Sequence, residues 1–145
     1  MSHAERLCSM DQMEPRLGTA ERLAITGVSH IQINVSDLEA STEWYKTTVG
    51  LTQLQAAPGK YASLTPAAGG FRLGLIQTGP EDVHSNFGHL AIALESMDVL
   101  TAWVEHLDVM GAPHTAIKEN PFNPGVFSID LFDPDGHEIE LIYEP

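Results

Sequence analysis

The chain has 145 residues, of which 43% are apolar, and this predicts one globular domain with a core of ordinary size. Seven Lys and Arg against 20 Asp and Glu give a formal net charge of −13, which argues against nucleic-acid and anionic-membrane partners. The single cysteine, Cys8, excludes an intrachain disulfide, and neither a signal peptide nor a membrane span is recognisable. We therefore expect a soluble, cytoplasmic protein.

The first 22 residues lack a clear periodic pattern and are interrupted by Pro15 and Gly18. This predicts an N-terminal extension over residues 1–22, either a disordered tail or one short helix. The remaining residues, 23–145, are expected to form the single domain.

A first structural unit is predicted over residues 25–79. Residues 25–35 alternate and are rich in β-branched side chains, which predicts a strand. Ser36 and Glu39 have the spacing of a capping box, so the next helix is expected to begin with Ser36 as its N-cap and to run to Gly50. Three short strands then follow, over residues 51–55, 61–65 and 71–77.

The same order of elements recurs in a second unit, over residues 86–145. A strand is predicted over residues 89–94, and Ser96 is the candidate N-cap of a helix that ends near Gly111. Three further strands are predicted over residues 114–118, 126–132 and 138–143. The sequence therefore predicts an α+β fold made of two tandem βαβββ modules.

The two units can be aligned residue by residue. His30 and His89 are 59 positions apart, as are Trp44 and Trp103, which we expect to pack in the helices. Later in each unit the offset becomes 66, so that Gly74 corresponds to Glu140. An insertion of seven residues in one loop explains the change.

A row of polar residues lies on one face of the first predicted strand, where His30, Gln32 and Asn34 alternate with β-branched residues. In the second unit, His89 occupies the repeat position of His30, and Glu140 lies on the polar face of the last strand. If the units pair about a pseudo-twofold axis, His30, His89 and Glu140 converge in one concavity. Two imidazoles and one carboxylate fit a divalent transition metal and leave positions for water or substrate.

Further residues are candidates for the same concavity. Asp130 could act as a base or bind a substrate hydroxyl, so it is the candidate catalytic residue. Gln32 and Asn34 could orient a substrate, and Arg72 or Lys118 could hold an anionic group. A purely structural role stays open for Asn34 and Arg72.

At these residues the chain resembles the vicinal oxygen chelate superfamily, which includes glyoxalases, extradiol dioxygenases, fosfomycin-resistance enzymes and bleomycin-binding proteins. The resemblance covers residues 25–143. It is carried by Gly27-Val28-Ser29-His30, by the helix with Trp44-Tyr45 that ends at Gly50-Leu51, by Gly88-His89-Leu90-Ala91, and by Asp133-Pro134-Asp135-Gly136-His137-Glu138-Ile139-Glu140-Leu141. It implies paired βαβββ modules that form a curved mixed β-sheet around a metal-binding concavity, with His30, His89 and Glu140 as ligands.

Departures from the superfamily patterns separate the reaction types. Glyoxalase I and methylmalonyl-CoA epimerase resemble sites that hold a metal with four ligands, one of which is a Glu or Gln at the position where this chain has Gly74. The three-ligand pattern is similar to the iron(II) extradiol dioxygenases and the manganese fosfomycin transferases. The extradiol signature expects His and then Tyr before the Asp-Pro turn, whereas Asp130 stands at the second of these positions.

We therefore expect a metal-dependent enzyme that acts on a small oxygen-rich organic molecule, with dioxygenase-like chemistry at a 2-His-1-Glu site as the first candidate. A metal-dependent lyase, isomerase or thiol transferase is an alternative, and so is a non-catalytic small-molecule or drug-binding protein. The resemblance implies one divalent ion, Fe²⁺ or Mn²⁺ ahead of Ni²⁺, Zn²⁺ or Co²⁺. It also implies a homodimer, with modules that pair within one chain or swap between two.

Overall fold

A computed structural model describes residues 28–84 and 89–145. The predicted extension over residues 1–22 lies outside the described residues. The first module contains β1 (Ile31–Val35), α1 (Leu38–Thr47), β2 (Thr52–Ala57), β3 (Tyr61–Thr65) and β4 (Leu73–Gln77), followed by a 3₁₀ turn (Pro80–Asp82). The second contains β5 (His89–Leu94), α2 (Met97–Met110), β6 (Lys118–Glu119), β7 (Phe127–Phe132) and β8 (Glu138–Tyr143).

The two modules have the same topology. The first sheet has the strand order β1-β4-β3-β2 and the second has β5-β8-β7-β6, each with one parallel pair. Gln32 pairs with Gly74 in the first sheet, and Ala91 pairs with Glu140 in the second. These pairs are related by the offsets of 59 and 66 residues, so the α+β fold of two tandem βαβββ modules is confirmed.

The start of α1 differs from the prediction. Asp37, not Ser36, is the N-cap, because its carboxylate accepts the Ala40 N–H at 3.0 Å. Ser36 instead donates its N–H and its hydroxyl to the carboxylate of Asp135 in the other module. The side chain of Gln77 accepts the Leu38 N–H at 2.8 Å and so satisfies a further exposed donor of the first turn.

The second module agrees more closely with the sequence-based prediction, with one exception. Ser96 caps α2 by accepting the Val99 N–H, and the helix ends at Gly111, which has φ of +65°. The strand predicted over residues 114–118 shares only Lys118 with β6. His114, at its predicted start, forms an isolated bridge to Leu131.

One face of each sheet packs under its helix. The large apolar residues that are fully buried alternate along the strands, as expected for a sheet with one covered face. They are Ile33, Val35, Leu64, Leu73 and Leu75 in the first sheet and Ile129, Leu131, Ile139 and Leu141 in the second. Tyr45 of α1 and Leu100 and Leu107 of α2 complete this core, and Trp44 and Trp103 pack against it, as predicted. The opposite faces of the sheets carry the polar residues.

Within residues 28–84 and 89–145, no helix has the length and apolar character needed to cross a bilayer.

Candidate functional site

The second-sheet face carries polar side chains that include His89 on β5, Lys118 on β6, Asp130 on β7, and Glu138 and Glu140 on β8. His89 Nε2 and Glu140 Oε2 lie 3.5 Å apart, and the His89 side chain is 52% exposed. Two ligand atoms that are each about 2.1 Å from a shared metal ion are roughly 3.0 to 3.4 Å apart. The separation of this pair therefore suits two ligands of one ion.

Asp130 lies beside this pair. It is paired across the sheet with Glu140, and its own backbone N–H and carbonyl are engaged by Thr115 on the other side, each at 2.9 Å. Asp130 and Glu140 are therefore a non-hydrogen-bonded antiparallel pair, the kind in which Cα atoms are about 4.5 Å apart and side chains are closest. The two residues are therefore direct neighbours across the sheet.

The carboxylate of Asp130 is buried but only half satisfied. The residue is 6% exposed, and its Oδ2 accepts a hydrogen bond from the ammonium of Lys118. Its Oδ1 is buried and has no hydrogen-bond partner among the described residues. The hydrogen bond to Asp130 raises the pKa of Lys118, and the charges of Asp130, Glu140 and Glu138 add to this effect. Lys118 therefore stays protonated and pairs with Asp130.

The first-sheet face includes His30, Gln32, Tyr61, Arg72 and Gly74, and it differs from the second-sheet face at the position equivalent to Glu140. That position is Gly74, where an added Cβ would lie 3.0 Å from Gln32 Cγ and 3.2 Å from Tyr61 Cε2. Gln32 and Tyr61 thus fill the space that a side chain at this position would need. This face offers one imidazole and no carboxylate to a metal.

The structure brings together two of the three predicted ligands. His89 and Glu140 are close, but His30 does not join them in any group of described ligand atoms within 4.8 Å of one another. His30 is exposed just before β1, and its Nδ1 lies 3.0 Å from the hydroxyl of Ser29. Arg72 donates to the same hydroxyl at 3.4 Å, so His30 and Arg72 are neighbours.

Asn34, a predicted substrate-binding residue, is engaged by the protein itself. Its side-chain amide donates to the carbonyl of Asp82 at 3.0 Å, which fixes the 3₁₀ turn after β4. Its backbone carbonyl accepts the Nε2 N–H of His137 at 2.7 Å. His137 is 2% exposed and lies where the two modules meet.

A second group of potential ligands lies in the β7–β8 turn, where atoms of Asp133, Asp135 and His137 fall within 4.8 Å of one another. The oxygens of Asp133 already accept hydrogen bonds from the backbone of Asp135 and His137 and from the hydroxyl of Tyr45, at 2.8 to 2.9 Å. Asp135 accepts from Ser36. We name these five residues the module junction, because their hydrogen bonds tie the second module to the first.

Burial raises the pKa values of two residues of the module junction, Tyr45 and Asp133. Tyr45 is fully buried, and burial, followed by the charge and hydrogen bond of Asp133, raises the pKa of Tyr45 above its usual range. Burial also raises the pKa of Asp133, although the N–H of His137 opposes this. No local pattern predicts this contact, since Tyr45 and Asp133 are 88 residues apart.

The cleft of about 480 Å³ between α1 and the β2–β3 hairpin contains none of the predicted site residues. Its walls include Glu39, Glu43, Lys46, Gln53 and Tyr61. The cleft therefore lies apart from the residues that the sequence predicted for the site.

Comparison with known proteins is consistent with this architecture. The family model of the Glyoxalase/Bleomycin resistance protein/Dioxygenase superfamily matches residues 27–141. The chain therefore belongs to this superfamily. A search of curated proteins found no match.

Solved structures with similar folds come from several functional types. Lactoylglutathione lyase from Agrobacterium tumefaciens is 18% identical, with a TM-score of 0.69, over 82% of this chain and 94% of that chain. A glyoxylase/bleomycin resistance protein/dioxygenase domain from Frankia sp. EAN1pec is 25% identical, with a TM-score of 0.69, over 84% and 100%. TnmS3, an antibiotic binding protein from Streptomyces sp. CB03234, is 25% identical, with a TM-score of 0.68, over 84% and 98%.

Proposed function

We propose that the protein is a metal-dependent enzyme that acts on a small oxygen-rich organic molecule. The observation that carries the proposal is the His89–Glu140 pair, with Nε2 and Oε2 3.5 Å apart on a face that also carries Asp130 and Glu138. His30 is the third ligand in this proposal. One imidazole from each module and one Glu make a 2-His-1-carboxylate set, which is typical of non-haem iron(II) oxygenases.

His30 reaches the site, in this proposal, from a second copy of the chain. Two observations support a shared site. His30 is not grouped with His89 and Glu140 among the described residues of one chain. In addition, the first-sheet face carries Arg72 and no carboxylate, whereas the second-sheet face carries three carboxylates and Lys118. Faces of complementary charge favour the pairing of the first module of one chain with the second module of another.

The residues have distinct roles in the proposed chemistry. A divalent ion, Fe²⁺ or Mn²⁺ first, would polarise the oxygen atoms of a bound substrate. Asp130 is the candidate to accept a proton or a hydrogen bond from a substrate hydroxyl in this proposal. Lys118 holds one oxygen of Asp130, while Gln32 and Arg72 line the opposing face.

The first test is elemental analysis of the full chain, purified without a metal-chelating tag. We expect near-stoichiometric iron or manganese, lost in His89→Ala and retained in His114→Ala. His114 is a matched control because it is also a histidine of the second module paired with a carboxylate, Asp108, but lies outside the proposed site. If neither the wild type nor a metal-titrated sample contains bound metal, the proposal is wrong.

The shared site is tested by mixing two inactive variants. His30→Ala and His89→Ala should each lack metal, but a heterodimer of the two rebuilds one intact site. We therefore expect refolded equimolar mixtures to regain metal, up to half the wild-type content in each heterodimer. If sites form within one chain, the mixture regains none.

Two alternatives are separated by simple assays. Oxygen uptake with catechol as a probe would support dioxygenase chemistry, whereas metal-dependent turnover without oxygen uptake would favour a lyase, isomerase or thiol transferase. A non-catalytic binding protein is the second candidate, and the 25% identity to the antibiotic binding protein TnmS3 favours it. Ligand binding by a protein that takes up no metal would support that candidate.

A further inference from the structure

A short segment between α2 and β6 lies along β7, and we name its residues, 112–118, the strap. The Thr115 N–H donates to the carbonyl of Asp130, and the Thr115 hydroxyl accepts the Asp130 N–H, each at 2.9 Å. At the end of the strap, the ammonium of Lys118 binds the carboxylate of Asp130. The strap therefore holds the candidate catalytic residue by both its backbone and its side chain.

His114 joins this strap to the last turn of α2. Its Nε2 lies 3.1 Å from Oδ1 of Asp108, and its Nδ1 lies 2.7 Å from the carbonyl oxygen of Thr115. The His114 side chain is only 12% exposed, and its backbone forms the bridge to Leu131 of β7. The imidazole thus lies where the helix, the strap and the second sheet meet.

Both contacts of the imidazole are with acceptors. A backbone carbonyl and an ionised carboxylate have no proton to donate, and a neutral imidazole has only one N–H. Both hydrogen bonds can therefore form together only when both ring nitrogens are protonated. The hydrogen bond to the Thr115 carbonyl, followed by that to Asp108, raises the pKa of His114 above its usual value, while burial opposes the increase.

The charges around the ring favour the same protonated form. Asp108 is the charged group that faces His114 from α2, and the helix has no basic residue in its last turn. A positive charge near the C-terminus of a helix is favoured by the helix dipole. From β7 come the apolar Leu131 and Asp130, whose carboxylate is paired with Lys118.

We propose that the protonated ring of His114 latches the strap to α2, and that loss of its proton releases the strap beside Asp130. A neutral ring can donate to Asp108 or to the Thr115 carbonyl, but not to both. The strap then loses one of its ties to α2, and the surroundings of Asp130 loosen as the pH rises. This inference requires no metal and is independent of the proposed function.

Amide hydrogen exchange at Thr115 in the metal-free full chain measures the latch, because this N–H is bonded to Asp130 while the strap lies on β7. The pKa of His114 is raised in the closed form, so the closed strap keeps a proton that the open strap has lost. After correction for the intrinsic exchange rate, protection should be constant below about pH 6.5. It should then fall by up to about tenfold per pH unit until the raised pKa is passed, and level off.

His114→Gln removes the titrating group, so Thr115 should lose this pH-dependent fall in protection. His106→Gln is the matched control and should keep the wild-type fall. His106 also places its Nε2 on a backbone carbonyl, that of Thr48, at 3.0 Å, but this contact is with the first module. The same pH course in the wild type and in His114→Gln would overturn the proposal.

A second variant keeps the ring and tests the carboxylate. Asp108 is 70% exposed, so Asp108→Asn serves as the test even if His114→Gln fails to fold. It should lower the pKa of His114 and reduce the total fall in Thr115 protection. The ring can also be observed directly in long-range proton–nitrogen NMR spectra at about pH 6.5, where an unperturbed histidine is half protonated. We expect both nitrogens of His114 to be protonated in most molecules, and a mostly neutral ring would refute the latch.

Discussion

The two sheets have the same strand order but very different charge. None of the four strands of the first sheet contains Asp or Glu. The strands of the second sheet contain four, which are Glu119, Asp130, Glu138 and Glu140, against the single ammonium of Lys118. The repeat therefore preserves the apolar residues that pack under the helices, where close packing constrains each side chain, and varies those on the other face.

The turns before the last strand of each module differ in the same way. In the second module, residues 133–137 read Asp-Pro-Asp-Gly-His and form the module junction with Ser36 and Tyr45. The equivalent residues of the first module, 67–71, read Ala-Ala-Gly-Gly-Phe and offer no carboxylate. The repeat counterpart of Tyr45 is Val104, which has no hydroxyl. The junction is therefore one-sided, and only the second module supplies the acceptors.

The largest expected loss of stability tests the equivalence of the apolar cores under the two sheets. Leu75 and Leu141 are equivalent in the repeat and are at most 1% exposed. We expect Leu75→Ala and Leu141→Ala each to lower the free energy of unfolding by about 2 to 5 kcal/mol, because each leaves a cavity in a packed core. Urea unfolding followed by circular dichroism measures both. Costs that differ by more than a factor of two would show that the two cores are not equivalent.

A smaller effect tests the one-sided junction. Tyr45→Phe should lower the free energy of unfolding by about 1 to 3 kcal/mol, because the buried carboxylate of Asp133 loses a donor. Tyr143→Phe, at the half-buried end of β8, is the control and should change it by less than about 0.5 kcal/mol. Equal effects in the two variants would mean that the Tyr45 hydroxyl does not stabilise the junction.

The same residue predicts a pH dependence. The pKa of Tyr45 is raised in the folded state, so above the usual tyrosine pKa the unfolded chain releases a proton that the folded chain keeps. Stability should therefore fall as the pH rises above about 10, by up to about 1.4 kcal/mol per pH unit from this group. Tyr45→Phe should lack this contribution. The free energy of unfolding of both proteins is measured by urea titration at a series of alkaline pH values. If it falls equally with pH in the two proteins, the prediction is wrong.

The smallest effect concerns the glycine that replaces a carboxylate. Gly74→Ala should change the free energy of unfolding by less than about 1 kcal/mol, because the reduced freedom of the unfolded chain offsets the displacement of Gln32 and Tyr61. Gly111→Ala is a useful contrast, since its φ of +65° is unfavourable for alanine by about 1 to 2 kcal/mol although no atom obstructs the new Cβ. A large loss in Gly74→Ala would show that Gln32 and Tyr61 are fixed in place.

Much of the fold and half of the candidate site could be predicted from sequence. Residues 61–65, 89–94 and 138–143 were each predicted as strands and have those bounds in the structure. The repeat offsets also predicted that Gly74 and Glu140 are equivalent. This worked because side-chain alternation and repeat spacing are local properties that survive without knowledge of contacts. The sequence also predicted that His89 and Glu140 lie close together, as part of a convergence with His30 about a pseudo-twofold axis.

What failed depended on contacts between distant parts of the chain. Ser36 and Asp37 are both good N-caps, and the sequence favoured Ser36 because of its spacing to Glu39. The structure uses Asp37, since Asp135, 99 residues away from Ser36, binds Ser36 instead. The strand predicted over residues 114–118 was too long at its start. The His114 side chain contacts Asp108 and Thr115, and His114 lies outside the strand that pairs with β7.

The sequence by itself determined the two modules, their equivalence and the faces on which polar residues lie, because these depend on local periodicity. Only the tertiary structure decided how the modules join, through Tyr45 and Asp133. It also decided that one carboxylate oxygen of Asp130 is buried without a donor from residues 28–84 and 89–145. It also decided that His30 is apart from His89 and Glu140 among the described residues of one chain. Hydrogen-bond satisfaction and distance between elements are properties of packing, which no spacing along the chain encodes.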